Sequence, residues 1–281
     1  MDRNIHMENQ FEDLRGQLRI DCEKCCGLCC VALYFSKSEG FPNDKKAGKP
    51  CGNLLPDFRC KLHSQLSEKG LKGCIAYDCF GAGQKVTQMI YDGTSWKTMP
   101  PDRAEEMFEV FIRVYQLHQI LWYLIEAVSL TAAQKLKNEL KGLILKIQTT
   151  VGSSPADIRS FDIEAYRNRV NHVLKEAGEC VCQSICPSKA RKPGNGDYLG
   201  KQFCGTDLSG QDFSMALMIA SDLRGCKLRG TNFLGADLRD ADLSNADLSE
   251  SLFLTQMQIN EASGNKGTRL PKWLEYPEHW T

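Results

Sequence analysis

No long apolar run, no excess of either charge and very little histidine mark this chain. Its 281 residues hold 35 Lys plus Arg against 35 Asp plus Glu, with five His. A balanced chain sets up no field to draw a polyanion or an acidic bilayer, so neither nucleic acid nor membrane is an expected partner. The start, MDRNIHMENQFEDL, lacks the apolar stretch of a secretory signal, and a cytoplasmic location is expected. The most apolar region, residues 107–130, contains Glu109, Arg113, His118 and Glu126, which predicts a buried helix rather than a membrane span. Gly81-Ala82-Gly83 supplies a G-x-G and no more, and GxxxxGK, HExxH and GxSxG are all missing. Dinucleotide, P-loop, zinc-protease and serine-hydrolase chemistry therefore have no support.

What is abundant is cysteine. Nine of the fourteen fall between residues 22 and 79: Cys22, Cys25, Cys26, Cys29, Cys30, Cys51, Cys60, Cys74 and Cys79. Five of them crowd into CEKCCGLCC. Neighbouring Cα atoms lie only about 3.8 Å apart, so vicinal pairs make poor structural disulfides. Thiolates spaced by two to four residues can instead converge on one ion or cluster, the expected use of dense cysteine in a reducing compartment.

Composition divides the chain into three. Residues 1–100 read as a cysteine-rich module whose stability would come largely from metal. Short helices are predicted near 11–20 and 61–68, and a strand or hairpin over 86–91, stopped by the turn signal Asp92-Gly93. Residues 101–178 read as a helical linker or cap. Pro101-Asp102 with Glu105 and Glu106 suits a helix start. Phe108, Phe111, Tyr115, His118, Trp122 and Ile125 recur at the spacing of a buried face. Thr131 is expected to cap a second helix carrying Leu136, Leu140, Leu143 and Ile147, and Gly152 to Pro155 breaks it. Tyr166, Val170 and Val173 mark a third, expected to end at Gly178. His118 and His172 fall within helical patterns and read as packed or solvent-facing rather than as ligands.

Residues 179–281 hold a repeat of period five. Large apolar residues stand at Phe203, Leu208, Phe213, Met218, Leu223, Leu228, Phe233, Leu238, Leu243, Leu248 and Phe253. Two positions earlier sits a small or short polar residue from Ala216 to Ser251, as at Thr206, and Lys201 and Gln211 break the rule early. Asp or Asn often precedes the large residue. This pattern resembles pentapeptide-repeat proteins. The resemblance implies a right-handed quadrilateral β-helix of four pentapeptides per coil, just under three coils long, capped by the helices before it. The tail, with Leu270, Trp273, Leu274 and Trp280, would close the other end. Cys226 occupies an inward small position and is expected only to pack.

The cysteines carry a second resemblance. Cys26-Gly27-Leu28-Cys29-Cys30, followed by Cys51, Cys60, Cys74 and Cys79, is similar to a bacterial family described as a zinc- or iron-chelating cysteine domain. That family's pattern implies that eight of the nine cysteines bind metal, with His63 as a possible substitute. Cys22 stands four residues before the core while an additional Cys25 adjoins Cys26, so the choice between Cys22 and Cys25 is open. One zinc or one cubane cluster needs four ligands, and eight thiolates suit two zincs. A related cysteine pattern in a flagellin lysine methylase that carries an iron–sulfur cluster favours iron over zinc. Cys180, Cys182 and Cys186, with Cys204 near in sequence, form a smaller candidate group. Asp78 reads as a surface residue more readily than as one orienting a cluster.

Three functions follow. The first is a metal-binding protein, zinc or iron–sulfur, with a repeat scaffold whose outer faces meet a protein or peptide partner in a redox, accessory or maturation role. The second is a metal-dependent enzyme modifying a peptide or protein. The third is a DNA mimic acting on a topoisomerase. From Cys204 to Phe253 acids outnumber bases eight to four, a mild bias toward that last reading.

Overall fold

A computed structural model describes residues 11–186 and 196–280. The first ten residues, part of the segment from which a cytoplasmic location is expected, lie outside them. Among the described residues no helix is long and apolar enough to cross a membrane. Contacts divide the chain into two units. The first takes in the described residues of Met1–Gly73, Asp78–Ser129 and Leu136–Val173; the second takes in Cys74–Tyr77, Leu130–Lys135 and the described residues of Leu174–Thr281.

The first unit is helical and is organised on one long element. Helix α1 covers residues 11–17. Helix α2 is Leu28–Ala32, α3 Lys72–Ala76, α4 Ala82–Gln84, α5 Pro101–Ser129, α6 Lys137–Val151, α7 Pro155–Ser160 and α8 Ile163–Ile185. Along α5, Met107, Val110, Phe111, Val114, Leu117, Leu121 and Ile125 are buried at three- and four-residue steps, the stripe that lets it pack on α2, α4, α6 and α7. Ser154 caps α7 through the Asp157 amide, with Pro155 in the first turn. The Tyr166 hydroxyl donates to Leu143 O at 2.6 Å, tying the start of α8 to α6.

Local readings differ from these elements in four places. Thr131 caps no α-helix: a 3₁₀ turn, Thr131–Leu136, precedes α6. Helix α8 runs through Gly178, because a Cβ there would stand 2.9 Å from Asn232 Nδ2; the glycine serves close approach rather than termination. Residues 61–68 yield only the 3₁₀ turn His63–Gln65. The strand read over 86–91 is instead a π-helical turn, Lys85–Ile90, continuing α4. Its loose alternation was too short to outweigh a helix already started at left-handed Gly81.

In the second unit the expected quadrilateral β-helix must be corrected. Among the described residues there is no β-strand and no sheet. The repeats are linked by isolated parallel bridges, such as Gln202↔Asp222, Asp222↔Asp242 and Asn232↔Leu252, each joining residues twenty positions apart. A period of five explains this, because a turn interrupts the chain after every bridge and no ladder has room to form. The resulting coil is nonetheless tightly built. Met218, Leu223, Leu228, Phe233, Leu238, Leu243, Leu248 and Phe253 are fully buried, with Ala216, Ala241 and Ala246 beside them.

The turn explains the remaining repeat positions. Most turns hold one left-handed residue: Gly at 205, 210, 225, 230 and 235, and Met215, Ala220, Asp240 and Asn245 elsewhere. Where Asp or Asn precedes the large residue, its side chain accepts the amide two positions on, as Asp207 does from Ser209 and Asp242 from Ser244. Inward Thr231 and Ser251 donate to Leu208 O and Leu228 O of the preceding coil, both at 2.9 Å. The tail extends the stack instead of only closing it, since Ser263 bridges Asp242 and Arg269 bridges Asp247. Helix α9, Gln256–Glu261, begins with a capping box from Thr255 and Gln258. Leu274 and Trp280 are buried behind it.

Two outcomes test this architecture. Phe233→Ala should destabilise the repeat unit by about 3–5 kcal/mol in denaturant unfolding, the usual cost of emptying an aromatic core position. The second outcome concerns His118, whose Nδ1–H donates to Phe80 O at 2.7 Å. Burial, with the Lys85 charge adding, pushes its pKa down from 6.5 to about 4. The unfolded chain therefore takes up a proton in the window that the fold refuses. Stability present above pH 6.5 should be lost as pH falls toward 4. Between pH 7 and pH 4.5 the wild type should lose about 2–3 kcal/mol more than His118→Gln, measured by chemical denaturation.

Candidate metal centre

The loop from Arg19 to Cys26 owes its path to one helical face. Gln84, Thr87 and Gln88, three and four residues apart, all reach its backbone. Gln84 Nε2 donates to Arg19 O at 2.6 Å, and Gln84 Oε1 accepts from Asp21 N at 3.2 Å. Thr87 Oγ1 accepts from Cys26 N at 3.2 Å, and Gln88 Nε2 donates to Lys24 O at 2.9 Å. Trp96 Nε1–H adds a bond to Cys26 O at 2.8 Å. Gly27 then turns left-handed (φ 72°) to open α2, a backbone state that accounts for glycine inside the cysteine core.

The first turn of α2 carries Cys29 and Cys30, whose Sγ atoms are 4.0 Å apart. Cys51 N donates to Cys30 O at 2.9 Å, bringing the second cysteine segment against α2. Leu54 bridges Cys60 in antiparallel fashion, so Cys51 and Cys60 flank one small loop. Phe80 and Gly81 are both left-handed and return the chain after Cys79 into α4. There a Cβ on Gly83 would stand 2.6 Å from Cys25 Sγ and 3.9 Å from Cys79 Sγ, so two sulfurs share the space that this glycine leaves. Lys45 Nζ is held by Lys49 O (2.8 Å), Val31 O (3.1 Å) and Lys46 O (3.3 Å), and stands over the Phe35 ring.

The electrostatics are those of thiols withdrawn from water. Burial pushes Cys25 up to about 12 and Cys79 up to about 11. Burial also raises Cys22, Cys26 and Cys60; for Cys22 the neighbours Cys30 and Cys60 add, and for Cys60, Cys30 and Cys51. Cys29 is raised first by its hydrogen bond with Cys30 and then by burial. That same bond lowers Cys30, and the Lys45 ammonium helps. The raised thiols thus need a neighbouring cation to form thiolates at neutral pH.

Cys74 lies on α3 within the second unit. His63 is exposed at the start of its 3₁₀ turn, its amide donating to Cys60 O at 3.2 Å. The smaller group is not brought together. Cys180 and Cys182 stand two residues apart on continuous α8, about 200° around a helix. The Cys182 thiol turns to Gly230 O at 3.8 Å, while Cys186 lies just past the helix end. Cys226 packs inward, its thiol donating to Phe203 O at 3.1 Å. Asp78 is engaged locally, accepting the Phe80 amide at 2.6 Å.

No disulfide is formed by any of the fourteen cysteines. Among the described residues no three Cys, His, Asp or Glu side chains already stand together as an ion's ligands. By donor chemistry the first unit nonetheless suits a soft, thiolate-bound ion, and two of its sulfurs, those of Cys25 and Cys79, lie beside Gly83. Sequence reading missed Gly83, Thr87, Gln84, Gln88 and Lys45. The one available signal was Gly81-Ala82-Gly83, which matters here for close approach of sulfur instead of phosphate.

A family model described as Pentapeptide repeats matches residues 216–253 in eight copies. No solved structure matches the chain significantly. The uncharacterized protein YybG of Bacillus subtilis (strain 168) is 44% identical over 271 residues, covering 96% of this chain and 97% of that protein. The likeness runs through both the cysteine-rich segment and the repeats, and the chain belongs to the family of YybG, as a protein with pentapeptide repeats near its C-terminus.

Proposed function

We propose that the N-terminal cysteines bind a thiolate-ligated metal, as zinc or an iron–sulfur cluster, and that the repeats form a scaffold offering its outer faces to a protein or peptide partner. The observation that carries the reading is the gathering of soft donors in one unit: Cys25 and Cys79 over Gly83, and Cys29 beside Cys30 at 4.0 Å. Support also comes from the resemblance of the CGLCC core and the later cysteines to a metal-chelating domain. An iron–sulfur cluster would supply one-electron transfer, and zinc would supply a cross-link between chain segments. This chain's own groups would exclude water and offset charge, Lys45 being the cation fixed beside Cys29, Cys30 and Cys51. Iron remains the favoured metal on the likeness to the methylase pattern.

The scaffold part rests on the coil's surface chemistry. Arg224 pairs with Asp222 at 2.7 Å, and Arg239 with Asp237 and Arg229 with Glu250 at 2.5 Å, so acids and bases are interleaved on this surface. Such a face suits a mixed-charge protein surface better than the role of a polyanion mimic.

Two measurements test the reading. Protein purified without oxygen should carry iron with acid-labile sulfide, or zinc; a chain with neither would overturn it. The double substitution Cys29→Ser/Cys30→Ser should release the metal and lower the unfolding midpoint of the first unit. The repeat unit should keep its own transition, and full metal retention would contradict the assignment.

A further inference from the structure

Residues 22–79 carry one more cysteine than eight ligands require, and the vicinal pair Cys25-Cys26 is where the structure separates two roles. Cys25 follows the 3₁₀ turn Cys22–Lys24 with extended backbone (φ −116°, ψ 137°), which sends adjacent side chains to opposite sides. Cys25 Sγ goes to the space over Gly83 that it shares with Cys79. Cys26, almost wholly buried, goes to Thr87: its Sγ lies 3.4 Å from Thr87 Oγ1 and its amide 3.2 Å from the same oxygen.

A threonine hydroxyl has one proton and two lone pairs. Thr87 gives its proton to Gly83 O at 2.9 Å, and one lone pair takes the Cys26 amide. The same oxygen thus meets the Gly83 carbonyl, the Cys26 amide and the Cys26 sulfur. Thr87 does two things in one turn: it holds the Cys26 side chain against itself, and it fixes the carbonyl of Gly83, the residue that Cys25 Sγ faces.

Building on the metal-binding reading above, we infer that Cys25, together with Cys79, ligates the metal, while Cys26 is a structural thiol held away from it by Thr87. This assignment departs from the family resemblance, in which Cys26 opens the core and the open question lies between Cys22 and Cys25. The ligand taken is a soft thiophilic centre, and on binding the Cys25 S–H bond is replaced by an S–metal bond with release of one proton.

The test uses full-length protein reconstituted with Zn²⁺ and compares Cys25→Ser, Cys26→Ser and Gly83→Ala. Cys25→Ser and Gly83→Ala should each weaken Zn²⁺ binding at least about tenfold, the latter by pushing a methyl group into the Cys25 sulfur. Cys26→Ser keeps a hydroxyl donor to Thr87 and should hold Zn²⁺ at wild-type stoichiometry and within about twofold of wild-type affinity. Loss of Zn²⁺ in Cys26→Ser with retention in Cys25→Ser would overturn the assignment while leaving the metal-binding reading in place. A wild-type chain that takes no Zn²⁺ and, as isolated, holds no iron would overturn both. Should a variant fail to fold, iodoacetamide labelling of the wild-type metal-loaded protein reads the same point. Chelation should raise alkylation of Cys25 at least about tenfold and leave Cys26 unchanged; the reverse pattern would overturn the inference.

Discussion

The first unit depends on one turn, Phe80 to Thr87. Two consecutive left-handed residues, Phe80 and Gly81, swing the chain from Cys79 into α4 and its π-helical continuation. That reversal aims Gln84, Thr87 and Gln88 at the backbone of the Arg19–Cys26 loop and brings Gly83 beneath Cys25. It also leaves the Phe80 carbonyl for His118 on α5. Cysteine loop, clamp helix and long helix thus meet at four or five hydrogen bonds, each net worth about 1 kcal/mol but costly to leave unmade once buried. A module rich in short turns and poor in long elements can hold its thiols in order only through such ties.

The repeat unit solves the opposite problem without depending on any single turn. Its order is a five-residue rule applied over and over: large residue inward, left-handed corner, small residue inward, Asp or Asn capping the next bend. The inward large and small residues and the frequent Asp or Asn were legible from residues 203–253; the left-handed corner and the cap that Asp or Asn makes were not, because both depend on backbone geometry. What the pattern did not convey is how little strand it makes. One bridge per turn is all that a period of five permits, so the coil is held by isolated bridges and buried side chains, without ladders. Nor did it convey that Ser263 and Arg269 carry the bridging on past the last repeat.

The helices show why local signals go astray. The buried stripe of α5 was legible because its three- and four-residue spacing runs for many turns. Residues 86–91 misled because six residues hold too few periods to tell alternation from a helical face. A strand there would have set Thr87 and Gln88 on opposite sides; the helix sets both toward the cysteine loop. Gly178 misled for another reason: glycine ends helices, but it also lets two backbones approach, and only the neighbour Asn232 says which.

Sequence alone determined which residues could do chemistry: a crowd of soft donors in residues 22–79, a five-residue coil in 203–253, and a helical stretch between. These are matters of composition and local period, which need no partner to be read. Tertiary structure alone decided which of those donors face one another. Sulfur separated by fifty residues from sulfur is brought near by turns whose geometry depends on hydrogen bonds across the fold. Whether adjacent Cys25 and Cys26 point to Cys79 or to Thr87 depends on the backbone angle between them and on a hydroxyl sixty-one residues away.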